Sequence, residues 1–317
     1  MAKQRSKAKK LQAESLHRSF KRSYKKDYRR ETNLPSVMYH ILASFKILFK
    51  NWRIFLPLLL IVVFLNIVLV GVMSQANYAK LQQTTEAANG GRFGLLLLSA
   101  TTALGFSNES TGAAIVFDGL ILVLTWLTTI FVLRYLLAKK KIKLRDALYN
   151  AMAPMVPTLV LLVIVAVECI PILLLVIAYA AAVQTDFLTM PFYALFFLGF
   201  AALMVTISAY LLTSSLMAFV AVSAPGMYPI TALNAATDLM RGRRMNLILR
   251  LVALIFVVIL IWVMIMMPLI MFDLAMKDFA WAAEIPFIPV LIMVMIGFTN
   301  IYVTTYLYLY YRWLLDN

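Results

Sequence analysis

The chain has 317 residues, of which 63% are apolar and only 14% are charged, whereas an ordinary soluble domain is about 45–50% apolar and about 25% charged. There are too few polar residues to cover the surface of a soluble protein of this length, which excludes a water-soluble enzyme. The single cysteine, Cys169, excludes an intrachain disulfide and a cysteine-rich metal site.

The apolar residues fall in blocks that are long enough to cross a hydrocarbon layer about 30 Å thick, at 1.5 Å per helical residue. Uninterrupted runs separated by short polar loops favour helices over a membrane barrel, whose strands alternate with period two. The sequence therefore predicts an all-α, polytopic integral membrane protein with six transmembrane helices: Ile54–Met73, Ala113–Leu137, Pro157–Val183, Phe192–Met217, Leu247–Phe272 and Pro286–Tyr311.

Positive charges predict the orientation, because Lys and Arg beside span ends are retained on the cytoplasmic side. Of the 29 Lys and Arg residues, only Lys80, Arg92 and Lys277 fall in segments predicted to lie outside. Both termini are therefore predicted to be cytoplasmic, in a multi-pass protein of the plasma membrane. The last span ends in residues that predict an aromatic belt at the cytoplasmic interface: Tyr306, Tyr308, Tyr310, Tyr311 and Trp313.

Residues 1–35 hold 12 Lys and Arg residues against three acidic ones, with too little apolar content to fold alone. We predict a disordered basic cytoplasmic tail here, followed by the transmembrane domain over residues 36–317. The positive charge of the tail favours binding to anionic lipid, or a role only as a topology signal. The alternative is binding to RNA or the ribosome, in which Phe20, Tyr24 and Tyr28 would stack on bases. The lipid or topology role is favoured over this alternative. The predicted contacts for anionic surfaces, in the tail and in two later basic clusters, are Lys9, Lys10, Lys21, Arg22, Lys25, Lys26, Arg29, Arg30, Lys139, Lys140, Lys141, Arg241, Arg243 and Arg244.

Amphipathic stretches precede three of the predicted spans. Ser36–Arg53 combines apolar residues at helical spacing with cationic positions, which predicts an interfacial helix. Lys143–Met152 and Pro229–Met240 have related patterns. Each stretch is predicted to be a cytoplasmic elbow helix followed by two spans. Their order indicates three helical-hairpin repeats packed around a common centre, although amphipathic loop helices without any repeat explain the same pattern equally well.

The elbow sequences resemble a known family. AlaLeuTyrAsnAla at 147–151, and ThrAlaLeuAsnAlaAla at 231–236 followed by LeuMetArgGly at 239–242, are similar to the six-helix membrane domain of some bacterial glycerophosphodiester phosphodiesterases and to its stand-alone YciC-like relatives. SerPheLysIleLeuPheLysAsnTrpArg at 44–53 is similar to the start of such domains, and the resemblance covers residues 37–313. It implies a bacterial plasma-membrane protein of largely undefined role. It implies no catalytic residue, because the phosphodiesterase chemistry of that family belongs to a separate soluble barrel.

The spans contain no catalytic or cofactor-binding motif. The two histidines, His17 and His40, precede the first span, which argues against an intramembrane zinc site and a Ser–His pair. No glycine-rich phosphate loop occurs either. We therefore expect a non-catalytic protein without a metal or a cofactor. The apolar segment 93–106 is too short to cross comfortably and is expected to be interfacial rather than re-entrant.

Polar side chains inside the spans are the remaining candidates, because an ionisable group at the bilayer centre costs about 3 kcal/mol on insertion scales. Glu168 lies near the middle of the third span, and Asn66 and Asn300 lie at similar depth by residue count. These three residues are a candidate midplane polar cluster. They are expected to join helices by hydrogen bonds, or else to form a substrate or proton site beside the break that Pro171 introduces.

Two functions remain open at this point. The first is a non-catalytic membrane protein that organises anionic lipids, or a membrane-protein partner, at the cytoplasmic face. The second is a small transporter or channel that uses Glu168. The spans hold one central carboxylate and no central cation, which favours the first function over ion-coupled transport.

Overall fold

Ten α-helices form the regular structure of the described residues of the computed structural model, which are 36–71, 112–185, 190–224, 226–276 and 287–316, and no strand occurs among them. The predicted tail and the apolar segment 93–106 lie outside the described residues. The helices are α1 (Val37–Lys50), α2 (Trp52–Leu65, continued by a π-helical turn over Asn66–Val70), α3 (Gly112–Leu137), α4 (Leu144–Ala151), α5 (Met155–Glu168), α6 (Ile170–Gln184), α7 (Pro191–Ala221), α8 (Pro229–Met240), α9 (Arg244–Met276) and α10 (Phe287–Asp316).

The prediction of six transmembrane helices is confirmed at the level of length and hydropathy. The longest helix, α9, has 33 residues and therefore extends about 50 Å at 1.5 Å per residue, which is longer than the hydrocarbon layer is thick. Each predicted span overlaps one of the helical stretches that are long and apolar enough to cross a membrane: Trp52–Val70, Ala113–Leu137, Met155–Tyr179, Pro191–Ala221, Arg244–Asp273 and Phe287–Leu315.

Short helices occupy all three positions at which the sequence predicts elbows. α8 begins at Pro229, a residue that suits the first turn of a helix. Each short helix packs against a different long helix: α1 against α10, α4 against α3, and α8 against α7. The buried faces of α4 and α8 carry alanines at the same spacing, Ala147 and Ala151 in one, Ala232 and Ala236 in the other. These small side chains let each helix approach its partner closely.

Pro35–Asp316 forms one compact unit, and the larger part of the buried surface of α7 lies toward one end of this helix. In α7 no side chain between 191 and 207 is buried, whereas most of those between 213 and 222 are. In α9 the fully buried Leu247 and the nearly buried Arg250 and Leu254 all belong to its first third. A smaller buried cluster of Met266, Ile288 and Met295 joins α9 to α10 farther along α9. Much of the other apolar surface of α7 and α9 is exposed, as expected where lipid replaces a protein core.

Gly297 marks a close approach between α10 and α2. A Cβ at this position would lie 2.9 Å from Leu59 Cδ1 and 3.5 Å from Val62 Cγ1, whereas a Cβ at Gly119 or Gly199 would meet no atom within 4 Å. Gly297 is itself buried. The absence of a side chain at Gly297 is therefore what allows α2 and α10 to pack at this depth.

Candidate functional site

Contacts between distant segments bring several helix ends together. Arg134, near the end of α3, donates through Nη2 to the Ser223 carbonyl at 3.2 Å and to the Ser223 hydroxyl at 3.0 Å. Arg243, just before α9, lies with Cζ 6.0 Å from the Trp313 ring near the end of α10, and His40 of α1 lies 6.4 Å from the same ring. We call this the basic end, because its exposed side chains include Lys46, Lys50, Arg53, Lys139, Lys140, Lys141, Lys143, Arg145, Arg241 and Arg312.

The predicted surface contacts differ in exposure. Lys139, Lys140, Lys141 and Arg241 are exposed, as a surface contact requires. Arg243 is only 7% exposed and faces the Trp313 ring, so it packs inside the protein rather than lining the surface. The predicted contacts in the tail lie outside the described residues: Lys9, Lys10, Lys21, Arg22, Lys25, Lys26, Arg29 and Arg30.

Lys139 ends α3 in a left-handed backbone conformation, with φ at 56°. Its N–H donates to the Leu136 carbonyl, and the N–H of Lys140 donates to the Tyr135 carbonyl, both at 3.0 Å. This is the hydrogen-bond pattern of a Schellman motif, in which glycine is the usual residue because it carries no Cβ. Compared with glycine, a lysine at this position adds a positive charge, but its Cβ makes the left-handed backbone conformation less favourable.

Glu168 lies at a break in the third span. α5 ends at Glu168 and α6 begins two residues later at Ile170. The Ser208 hydroxyl of α7 donates to the Glu168 carbonyl at 3.2 Å. Glu168 Oε2 is buried and has no hydrogen-bond partner in the described part of the chain. Because each unsatisfied buried polar atom costs free energy, this carboxyl is the strongest candidate inside the spans for a proton or ligand site.

The structure does not join the three predicted midplane residues by hydrogen bonds. Asn66 donates through Nδ2 to the Val62 carbonyl of its own helix at 3.1 Å. Asn300 donates to the Leu122 carbonyl of α3 at 3.3 Å. The Asn300 side chain therefore links two helices, whereas Asn66 satisfies its amide within its own helix.

A buried cluster of aromatic and basic residues joins α1, α9 and α10, and the sequence did not predict it. His40 is 3% exposed, and its ring lies 6.0 Å from that of Tyr310 and 6.3 Å from that of Tyr306. Arg250, 4% exposed, has Cζ 5.2 Å from the Tyr310 ring. The His40 Nε2 atom and the Tyr302 and Tyr310 hydroxyls are buried without a hydrogen-bond partner in the described residues. The sequence does contain one signal for this cluster, because Arg250 is a cation near the start of the predicted span Leu247–Phe272 and a cation inside a span needs a partner.

The same cluster corrects part of the prediction of an aromatic belt at the cytoplasmic interface, since three of its five residues are buried whereas Tyr311 and Trp313 are half-buried. Tyr306 and Tyr310 are fully buried, and Tyr308 is only 8% exposed. Tyr302, Tyr306 and Tyr310 recur every four residues and so form one face of α10, against which α1 packs. These tyrosines therefore line a helix–helix interface rather than the lipid headgroup region.

The position of His40 lowers its pKa. Burial is the larger cause and the positive charge of Arg250 is the second, and together they lower the pKa of His40 from 6.5 to about 4. The imidazole is therefore neutral at pH 7. Ser44, also buried, donates its hydroxyl to the His40 carbonyl at 2.8 Å.

Two cavities lie beside α8. The first, about 470 Å³, is lined by residues of α7, α8 and the start of α9, including Tyr210 and Arg244. The second, about 420 Å³, lies between α3, the α4–α5 turn and the α7–α8 turn, and Arg134 lines it. Both volumes are within the range of small-ligand sites.

Neither a metal site among the described residues nor a known relative indicates a function for the chain. Among the described residues, no group of three or more His, Cys, Asp or Glu side chains is placed to hold a metal ion. No family model, curated protein or solved structure compared with the chain matches it. The resemblance to the membrane domain of glycerophosphodiester phosphodiesterases and to YciC-like proteins therefore stays a prediction.

Proposed function

We propose that this is a non-catalytic, multi-pass protein of a bacterial plasma membrane, which organises anionic lipids or a membrane-protein partner at its basic end, with both termini cytoplasmic. The observation that carries the proposal is the gathering of exposed cations from separate segments at that end. In the described part of the chain, the charged residues nearest the opposite span ends are acidic, Asp118 and Asp273. This asymmetry agrees with a cytoplasmic basic end and attracts anionic lipid, by about 1 kcal/mol per basic residue near the surface.

The packing of the short helices supports a division into three units, each an elbow helix followed by two spans. The units are α1–α3, α4–α7 and α8–α10, with the break at Cys169 inside the second. Each elbow packs on the last span of the preceding unit, and α1 on α10 closes the series. The contact between α1 and α10 is the one that a closed series of three units requires. The division accounts for basic residues in or directly beside each of the three elbows: Lys46 and Lys50 in α1, Arg145 in α4, and Arg241 directly after α8.

Lipid enrichment tests this function. The full-length protein is extracted from membranes in polymer nanodiscs, and the co-purified lipids are quantified by mass spectrometry. We expect anionic phospholipid to be enriched over zwitterionic phospholipid, and this enrichment to fall at high salt. Replacing Lys139, Lys140 and Lys141 together by Gln should reduce the enrichment several-fold, whereas replacing the same residues by Arg, the matched control, should preserve it.

Two results would contradict the lipid function. Equal lipid composition for the wild type, the Gln variant and bulk membrane would remove its basis. Preferential binding of RNA over anionic vesicles by the full-length protein would instead support the RNA or ribosome alternative for the tail.

The second candidate function is a small transporter or channel, and one observation favours it. Glu168 combines a buried carboxyl oxygen that has no partner among the described residues with a one-residue interruption of the helix at Cys169 in mid-span. Broken helices at this depth are typical of substrate and ion sites in transporters. If Glu168 only joins helices, Glu168→Gln should change little, because an amide keeps a donor and an acceptor.

Proton flux in proteoliposomes distinguishes these two roles of Glu168. A transport site requires that Glu168→Gln abolish pH-driven flux while the protein keeps its thermal stability, because an amide cannot release a proton. Ser208→Ala, which removes only the bond to the Glu168 carbonyl, is the matched control and should keep most of the flux. Flux that is absent from the wild type across a panel of cations and substrates would exclude the transporter function.

A further inference from the structure

The cavity of about 470 Å³ beside α8 lies where a tight turn joins α8 to α9. Gly242 permits this turn, because its φ of +77° is in the region that favours glycine. Arg241 and Arg244, on the two sides of Gly242, both line the cavity, as do Tyr210 and Met245. The cavity therefore combines cationic and apolar walls.

Arg244 is held in a fixed orientation in this cavity. Its Nη1 donates to the Tyr210 carbonyl at 2.9 Å, and its Cζ lies 3.7 Å from the centroid of the Tyr210 ring. A guanidinium has five N–H donors in a planar fork, and the bond to the Tyr210 carbonyl engages one of them. A stacked, pre-oriented guanidinium with a planar fork of donors is the arrangement that binds a phosphate group through paired hydrogen bonds.

Two apolar stripes run from the cavity toward the opposite membrane face. On α7, Leu203 and Ile207 precede Tyr210 at helical spacing, with exposures of 56%, 39% and 56%. On α9, the exposed residues Met245, Leu249 and Val252 have the same spacing. Positions i, i+4 and i+7 share one face of a helix. Since Tyr210 and Met245 both line the cavity, the stripes begin together at the cationic site.

Resting on the proposed function that the basic end binds anionic lipid, we infer that this cavity is a specific site for one glycerophospholipid. Its phosphate binds Arg244, with Arg241 adding positive charge, and its acyl chains lie along the stripes of α7 and α9. Asp238 also lines the cavity, and a carboxylate only accepts hydrogen bonds, so the phosphate lies on the Arg244 side. A free phosphate ion shares the headgroup chemistry but makes no use of the stripes.

Lipid retention and photolabelling test the site on the full-length protein. The protein is reconstituted with phosphatidylglycerol and phosphatidylcholine, and retained lipid is counted by native mass spectrometry. A phosphatidylglycerol with a photoreactive acyl chain then identifies the contacted peptides. We expect labels at 203–210 and 245–252, and about tenfold less retained lipid in Arg244→Gln, the loss that about 1.4 kcal/mol from a charged hydrogen bond predicts. Arg145→Gln removes the same charge from the exposed surface of α4, elsewhere at the basic end, and should lose far less lipid, because it weakens only the general attraction by charge.

The possible results distinguish specific binding in this cavity from a general attraction of anionic lipid to the basic end. Equal losses in Arg244→Gln and Arg145→Gln would overturn the site while leaving the lipid function of the basic end in place. Labels spread evenly over all exposed helices would also overturn it. Complete displacement of the lipid by glycerol 3-phosphate or inorganic phosphate would assign the cavity to a soluble anion instead. Arg244→Lys, which keeps the charge but not the planar fork, should retain an intermediate amount of lipid and serves if Arg244→Gln does not fold.

Discussion

Acidification should loosen the docking of α1, because His40 is buried beside a cation. The imidazole is 3% exposed, lies near the rings of Tyr306 and Tyr310, and is neutral in the folded protein because burial and Arg250 lower its pKa to about 4. Protonating His40 in place would put a second positive charge beside Arg250 in a site of low dielectric. The proton therefore binds more readily once α1 has detached and His40 meets water.

The size of this effect follows from the two pKa values of His40. Exposed to water the group has a pKa of 6.5, and in the folded protein about 4. Between these values the detached state holds more protons, so stability rises with pH in this window and falls as the pH drops from 6.5 toward 4. At 1.36 kcal/mol per pKa unit, the loss approaches about 3 kcal/mol below pH 4 and is about 2 kcal/mol at pH 5. Above pH 7 it vanishes.

Hydrogen exchange of residues 37–50 at pH 7 and pH 5, corrected for intrinsic exchange rates, measures the detachment of α1. The wild type should lose protection by about the calculated amount, and His40→Leu should lose much less, because the leucine does not titrate. His17→Leu changes the only other histidine and serves as the matched control, which should behave like the wild type. Equal losses of protection in the wild type and in His40→Leu would refute the reasoning.

Three further predictions concern packing, backbone strain and topology. Gly297→Ile should destabilise the protein by about 1–3 kcal/mol in thermal melting, because it overpacks the contact with α2, and the reasoning fails if it is as stable as Gly119→Ile. Lys139→Gly should raise the melting temperature, by relieving a left-handed cost of about 1 kcal/mol, yet weaken anionic-lipid enrichment; a lower melting temperature would reject the strain. In a cysteine-free background, Lys141→Cys should react with impermeant maleimide only from the cytoplasm and Glu86→Cys only from outside, and labelling of the first in intact cells would reject the topology.

The spans could be predicted from the sequence because the bilayer interior offers no water to hydrogen-bond the backbone. Every backbone group must be hydrogen-bonded within its own segment, so an apolar run of sufficient length has to be a helix. The bounds of α8 were predictable as well, since Pro229 begins it and Gly242 follows its end. The break at Cys169 was anticipated only through Pro171, which cannot continue the ladder of hydrogen bonds.

Partners between helices were not predictable, because periodicity shows which face of a helix is buried but not what covers it. His40 and Tyr310 are separated by 270 positions in the chain yet their rings lie 6.0 Å apart. The tyrosines of α10 have the composition of a membrane-interface belt, and only their packing against α1 shows that they are buried. Asn66 has the depth of Asn300, but an amide inside a helix can also bond to a carbonyl one turn back, which is the bond that Asn66 makes.

The proposed three-unit arrangement also explains where the cavities lie. α3 ends in Arg134, Tyr135, Leu136 and Leu137, and Arg312, Trp313, Leu314 and Leu315 directly precede Asp316, the last residue of α10, in the same order of arginine, aromatic residue and two leucines.

α7, the corresponding last span of the second unit, has no arginine at its end; the chain continues there through Ser223, which accepts hydrogen bonds from Arg134. Both cavities include residues of α7 or of the turn that follows it. Departures from a regular pattern are expected mainly at functional sites. The second unit, α4–α7, lacks the arginine that the other two units carry near the end of their last span, and we therefore expect the ligand site beside this unit.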